Sequence, residues 1–301
     1  MLSRRALRAP FFATVRLVGL ALFINAPASA ATASPEAPRP LIIGEARSIA
    51  SAALDQVREI NVVLPTDYAE NSEKRFPVLY LIDGGIGQDL LHVAGVVRLG
   101  ALWGRSADAI VVGIETKDRR RELTGTTRDP ELLRKYPTAG SSDSFRKFIR
   151  EEVKPLIERE YRTNGRDAVL GESLAGLFIV ETYLQEPSLF GAYAAIDPSL
   201  WWDKEALSHS TKQRIGAAQR ETPIYIAQAK EQSETPAAMN RVIAALRDGS
   251  SKWCMASRPD LLHTTIYQQL TPQAVQFLLP PNENPPVEYG FIVKCTDGSG
   301  R

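Results

Sequence analysis

Two spacings of apolar residues alternate along this chain. Short, nearly unbroken apolar runs occupy residues 77–82, 109–114, 167–170, 192–196, 223–227 and 252–256. Runs of that length predict strands buried on both faces, and three of them stop at Asp83, Gly171 and Asp197. Between them the apolar residues recur every three or four positions, as helices require. Leu90, Leu91, Ala94 and Val97 form one such face. Residues 145–161 form another, with Phe145, Phe148, Ile149, Val153, Leu156 and Ile157 on one side. Further helices are predicted after residue 173, over 237–246 and over 271–279. Upstream, residues 48–53 and 58–64 read as an opening antiparallel pair, closed by a turn at Pro65 and Asp67. Strands alternating with helices predict an α/β class protein with a mostly parallel sheet covered on both faces.

Chemistry enters at Asp167-Ala168-Val169-Leu170-Gly171-Glu172-Ser173-Leu174-Ala175-Gly176. An apolar run ends in a small residue, a polar one, a serine and two more small residues, and a helical segment follows. Strand, tight turn and helix in that order form a nucleophile elbow, which lifts a serine hydroxyl above the sheet edge. Small residues are needed on either side because strand and helix nearly touch there. Gly171 and Ala175 fill those places, with alanine where the usual G-x-S-x-G has its second glycine.

Composition bounds the partners. The 301 residues are 44% hydrophobic and 24% charged, with a formal charge of +1. That balance points to no nucleic acid and no anionic membrane surface. Arg4, Arg5, Arg8 and Arg16 precede an apolar segment and then Ala28-Ser29-Ala30. This is the order of a secretory signal, so residues 1–30 are expected to be removed, residues 31–47 to be a flexible leader, and residues 48–301 to form the catalytic domain. The apolar segment is shorter than the roughly 20 residues that span a bilayer. Export to the periplasm or medium follows, without membrane insertion after cleavage. Cys254 and Cys295 suit that compartment: either they close one disulfide, or Cys254 is a buried thiol in a strand. Neither has metal-ligand spacing, so no metal is expected.

A serine nucleophile needs a base, and the base needs an orienting acid. The three histidines are His92, His209 and His263. Only His263, in the loop after the last predicted strand, satisfies the chain order Ser, acid, His. Chain order leaves Asp197, Glu231 and Glu234 open as the acid. The loop after residues 223–227 is the usual place, so Glu231 leads. Oxyanion donors are expected from the backbone N–H of Leu174 and from the Gly84-Gly85-Ile86 loop, at Gly85. Residues 115–142 are a polar excursion too long for a simple connection. Within it, the run Arg119-Arg120-Arg121, with Arg119 and Arg121 as the leading binding candidates, either neutralises an anionic substrate or pairs with Asp118 and Glu122. Trp201 either walls an aromatic pocket or anchors the core.

Four blocks together resemble the esterase-D-like family of esterases. They are residues 77–84, Ile110-Val111-Val112-Gly113-Ile114 with Asp118-Arg119, Gly171-Glu172-Ser173-Leu174-Ala175-Gly176-Leu177-Phe178, and Pro198-Ser199-Leu200-Trp201-Trp202-Asp203. The resemblance runs from about residue 48 to 279. It implies an α/β-hydrolase fold and a serine esterase, with Ser173 at the nucleophile, His263 at the base and Glu231 at the acid place. That group includes periplasmic esterases of catecholate trilactone siderophores. Many of its members have histidine where Glu172 stands and glycine where Ala175 stands. The expected function is hydrolysis of a small-molecule carboxylic ester through an acyl-enzyme, with no cofactor. An acyltransferase of the same fold and a catalytically silent ester-binding protein are the competing expectations.

Overall fold

The computed structural model describes residues 38–298 apart from 217, 218, 220, 235, 250 and 251. The expected signal and the first part of the leader lie outside the described residues.

Among the described residues the buried apolar runs assemble into one sheet of nine strands. In chain order these are β1 (Glu45–Ser51), β2 (Gln56–Val63), β3 (Phe76–Ile82), β4 (Ile110–Ile114), β5 (Thr163–Glu172), β6 (Tyr193–Ile196), β7 (Ile224–Gln228), β8 (Trp253–Ser257) and β9 (Asp297–Gly298). The spatial order is β1-β2-β4-β3-β5-β6-β7-β8-β9. The central strands from β4 to β8 run parallel, while β1, β2 and β9 pair antiparallel at the two edges. β1 begins inside the stretch expected to be leader, because Glu45, Ala46 and Arg47 already pair with Val62, Asn61 and Ile60.

Successive strand side chains point to opposite faces, so each strand feeds two cores. Val78, Tyr80 and Ile82 of β3 enter one cluster, and Leu79 and Leu81 enter the other. The second face is covered by α1 (Leu90–Leu102) and α10 (His263–Leu278). In α1 the buried stripe runs through Leu90, Val93, Val97 and Gly100. Leu91, expected on that stripe, is exposed.

The first face carries α4 (Ser142–Phe148), α5 (Lys154–Glu160), α6 (Leu174–Gln185), α7 (Trp202–Arg214) and α9 (Ala237–Gly249). The predicted 145–161 helix is one helical run interrupted by a π turn at Ile149–Val153. Pro155 has no N–H for the Glu151 carbonyl, and the Lys154 N–H bonds instead to the Ile149 carbonyl. The long polar excursion contains α2 (Arg119–Leu123) and α3 (Pro130–Lys135). α2 is tied down by a buried two-armed pair, Arg58 Nη1 to Glu122 Oε1 at 2.6 Å and Nη2 to Oε2 at 3.0 Å. The same Nη2 bonds to the Glu115 carbonyl at 2.5 Å. Removing either charge alone would strand the other in the core, at a cost of about 3–5 kcal/mol.

Cys254 of β8 is bonded to Cys295 just before β9, so the first of the two cysteine alternatives holds. No helix among the described residues is long and apolar enough to cross a membrane.

Candidate active site

The site is built where parallel strands stop. Ser173 lies between β5 and α6 with φ 60° and ψ −116°, a backbone region that L residues avoid at a cost of about 1–3 kcal/mol. Two contacts hold it there: its N–H bonds to the Ile196 carbonyl at 3.0 Å, and its own carbonyl accepts the Ser199 N–H at 3.0 Å. A Cβ on Gly171 would sit 2.7 Å from the Ala175 Cβ. The two small residues therefore share room for one methyl, which is why alanine is accepted at one place only if glycine holds the other.

Asp197 ends β6, again with positive φ (45°). Its carboxylate is almost fully buried, and each oxygen is assigned. Oδ1 accepts the Ala229 N–H and a Gln232 Nε2–H, both at 2.8 Å. Oδ2 lies 2.5 Å from His263 Nδ1. A carboxylate only accepts, so Nδ1 carries the hydrogen and Nε2 is left with a lone pair. The bond to Asp197, then the Asp197 charge and those of Glu172 and Glu231, raise the His263 pKa above 6.5, against burial, which lowers it.

Glu231 is therefore not the carboxylate on the imidazole. It stands at the start of α8 (Lys230–Glu234), and its Oε2 accepts the backbone N–H of His263 at 2.9 Å. His263 is the first residue of α10 rather than a loop residue, so that N–H is one of the orphan donors of a helix start. Glu231 caps the helix that begins at His263. The predicted helix start at residue 271 was late because Pro272 reads as a boundary. It sits inside α10, leaving the Gln268 carbonyl without its usual donor. The side chain of Glu234 lies outside the described residues. His92 packs tilted against Tyr267 within the α1 and α10 layer, and His209 lies exposed on α7.

A cleft of ≈ 420 Å³ brings Ser173, Leu174, His263, Glu231, Arg119 and Trp201 together. Leu174 is the first residue of α6, where a helix has N–H groups with no carbonyl in a preceding turn. Gly85 does not offer a second such donor: its N–H is bonded to Gln88 Oε1 at 2.9 Å, and the Gly84 N–H to the Ile114 carbonyl at 2.9 Å. Gly84 is required for another reason, since its Cβ would fall 2.2 Å from the Gly113 Cα.

Of the arginines, Arg119 reaches the cleft and Arg121 does not. Arg119 pairs with Asp83 (Nε 2.9 Å, Nη2 2.8 Å), not with Asp118 or Glu122. Asp118 instead caps α2, accepting the Arg120 and Arg121 N–H groups. Arg120 lines the cleft, its guanidinium 4.4 Å from the Tyr136 ring centroid and 5.8 Å from that of Trp202. Trp201 is half exposed at the rim and meets Trp202 edge-on. Trp202 is the buried core anchor of the two.

Sequence reasoning did not single out Ser199, Gln232 or Asp83. Ser199 Oγ lies 3.2 Å from Ser173 Oγ. Asp83, Ser173 and Asp197 are strand-end residues with positive φ on neighbouring strands β3, β5 and β6. Asp-Gly and Asp-Pro directly after buried runs were the available signal for the two aspartates.

Comparison with known proteins gives the family and the fold. A family model described as "Putative esterase" matches residues 51–258. The ferri-bacillibactin esterase BesA of Bacillus subtilis is 30% identical over 171 residues, 50% of this chain and 57% of that protein. The chain spans about half the length of the curated relatives it matches. Among solved structures, the BES protein from Bacillus cereus superposes with a TM-score of 0.69 at 19% identity, covering 82% of this chain and 99% of that one. An IroE-like serine hydrolase from Shewanella oneidensis gives a TM-score of 0.67 at 24% identity, covering 77% and 78%. These superpositions show the α/β-hydrolase fold. With most of its length inside the family match, the chain belongs to the putative esterase family.

Proposed function

We propose that the protein is an exported serine esterase that hydrolyses carboxylic esters through an acyl-enzyme. The observation that carries this reading is the Ser173 elbow facing the same cleft as a His263–Asp197 pair at 2.5 Å. Ser173 Oγ attacks the ester carbonyl as its proton passes to His263 Nε2. The imidazolium is held by Asp197, and the tetrahedral oxygen accepts the Leu174 N–H. Collapse breaks the C–O bond, and His263 returns the proton to the leaving alcohol. Water then repeats the sequence on the acyl-enzyme and releases the carboxylic acid.

The substrate class is a siderophore ester of the catecholate trilactone type. Arg119 and Arg120 bring positive charge to the cleft beside the exposed Trp201 ring, a setting for an anionic aromatic ligand. The esterases of ferri-bacillibactin and enterobactin among its relatives support that choice.

The test is hydrolysis of a short p-nitrophenyl ester beside a ferric catecholate trilactone, with Ser173→Ala and His263→Ala as controls. Cleavage of both by the wild type and of neither by the variants is expected. Cleavage of the simple ester alone refutes the siderophore assignment. No cleavage of either by folded protein refutes the esterase.

A further inference from the structure

A second cavity of ≈ 440 Å³ opens beside the catalytic pair, walled by Ser173 and His263 on one side and by Asp83, Asp89, Glu172 and Arg119 on the other. An ester bound at Ser173 has two halves, and Ser173 lines both cavities. Their charged linings differ, although Arg119 borders both and the first also holds Asp197 and Glu231, engaged on the His263 ring and backbone N–H. The first cleft carries Arg119, Arg120 and Trp201. In the second, Asp83 already takes the Arg119 guanidinium, which leaves Glu172 and Asp89 without an ion pair among the described residues. Both are partly buried.

Resting on the esterase reading above, we propose that Glu172 determines specificity. The half of the ester lodged in this second cavity carries a cationic or hydrogen-bond-donating group, such as an ammonium, which Glu172 receives with Asp89 behind it. Glu172 is the last residue of β5, paired in the sheet with Ile196, so its backbone is fixed directly before the nucleophile. A partly desolvated carboxylate without a cation is favourable for a donor and unfavourable for a second anion. Burial, with the nearby Asp89 and Asp197 charges, pushes Glu172 up to about 7, opposed by His263 and Arg119. Burial and Asp83 push Asp89 up to about 6, opposed by Arg119 and by a hydrogen bond from the Tyr267 side chain. A bound ammonium would reverse both tendencies. At about 6 Å and an intermediate effective dielectric, one such charge pair is worth roughly a tenfold change in binding.

Two ester series test the proposal. One keeps a benzoyl group and varies the alcohol as aminohexyl, hexyl or carboxypentyl. The other keeps phenol and varies the acid as aminohexanoate, heptanoate or adipate. The readout is the ratio of kcat/KM for the amine over the carboxylate, in which His263 ionisation cancels because both substrates share it. In one series the wild-type ratio is expected to reach about tenfold or more and to rise between pH 6 and pH 8 as Glu172 ionises. Glu172→Gln is expected to collapse that ratio to within about threefold, and Glu172→Asp to keep its direction. If Glu172→Gln does not fold, Asp89→Asn reads the same wall with a smaller loss. Equal rates for amine and carboxylate in both series overturn the proposal while leaving the esterase intact, as does a ratio that survives Glu172→Gln. If no ester is cleaved and a fluorophosphonate does not label Ser173, the esterase reading itself fails and the proposal with it.

Discussion

Asp197→Asn separates Asp197 from Glu231, two of the three acids that chain order left open. The substitution is nearly isosteric at a site with 1% exposure, so packing is preserved. The orientation of the new amide is dictated by its partners. Where Asp197 Oδ1 stood, two hydrogens converge from Ala229 N–H and Gln232 Nε2, so the amide oxygen must lie there. The NH₂ group is then aimed at His263 Nδ1, which can meet it only as an acceptor. That tautomer places the hydrogen on Nε2, where it cannot receive the Ser173 proton.

The loss expected for this wrong-tautomer effect is about 10⁴-fold in kcat, the size seen for the equivalent change in the serine protease triad. At 1.36 kcal/mol per decade this is about 5.4 kcal/mol. Glu231→Gln keeps an acceptor for the His263 backbone N–H and removes the charge beside it. Glu231 is exposed, so the cost is about 1 kcal/mol, or roughly fivefold. Initial rates on p-nitrophenyl butyrate, with circular dichroism to establish folding, give both numbers. A Glu231→Gln enzyme that loses as much activity as Asp197→Asn would refute the assignment.

Because catalysis needs neutral His263 and its pKa is raised, the acid limb of kcat/KM should lie above pH 6.5; a limb below that value contradicts the Asp197 bond. Ser173→Gly should melt at a higher temperature than Ser173→Ala, because both lack the nucleophile but only glycine relieves the positive φ, by about 1 kcal/mol net. Gly171→Ala should destabilise by about 1–3 kcal/mol in urea unfolding, and adding Ala175→Gly should restore part of it, since the clash is with that one methyl. The Cys254–Cys295 bond closes a separation of 41 residues, so replacing both by serine should cost about 4 kcal/mol if loop entropy dominates, read from the shift in the denaturation midpoint.

The parallel core was legible in the sequence because buried strands must be apolar on both faces, and residues 77–82 and 109–114 have no other use for such a run. Ser173 was legible for a similar reason: the elbow's constraints are local, between a strand and the helix that follows it. His263 followed from chain order and from having only two rivals. What failed was set by contacts between segments distant in sequence. Asp197, Glu231 and His263 are brought together by three different strand ends, and only the folded backbone decides which carboxylate reaches Nδ1 and which the helix N-terminus. Gly85 looked like a free donor because nothing local shows Gln88 folding back onto it. The adjacent arginines were indistinguishable until the buried Arg58–Glu122 pair and the Asp118 cap oriented α2, turning Arg119 and Arg120 to the cleft and Arg121 away from it. Periodicity fixes which side chains are buried, because burial depends on spacing along one element. Charge pairing depends on distances between elements, and the tertiary structure alone supplies those.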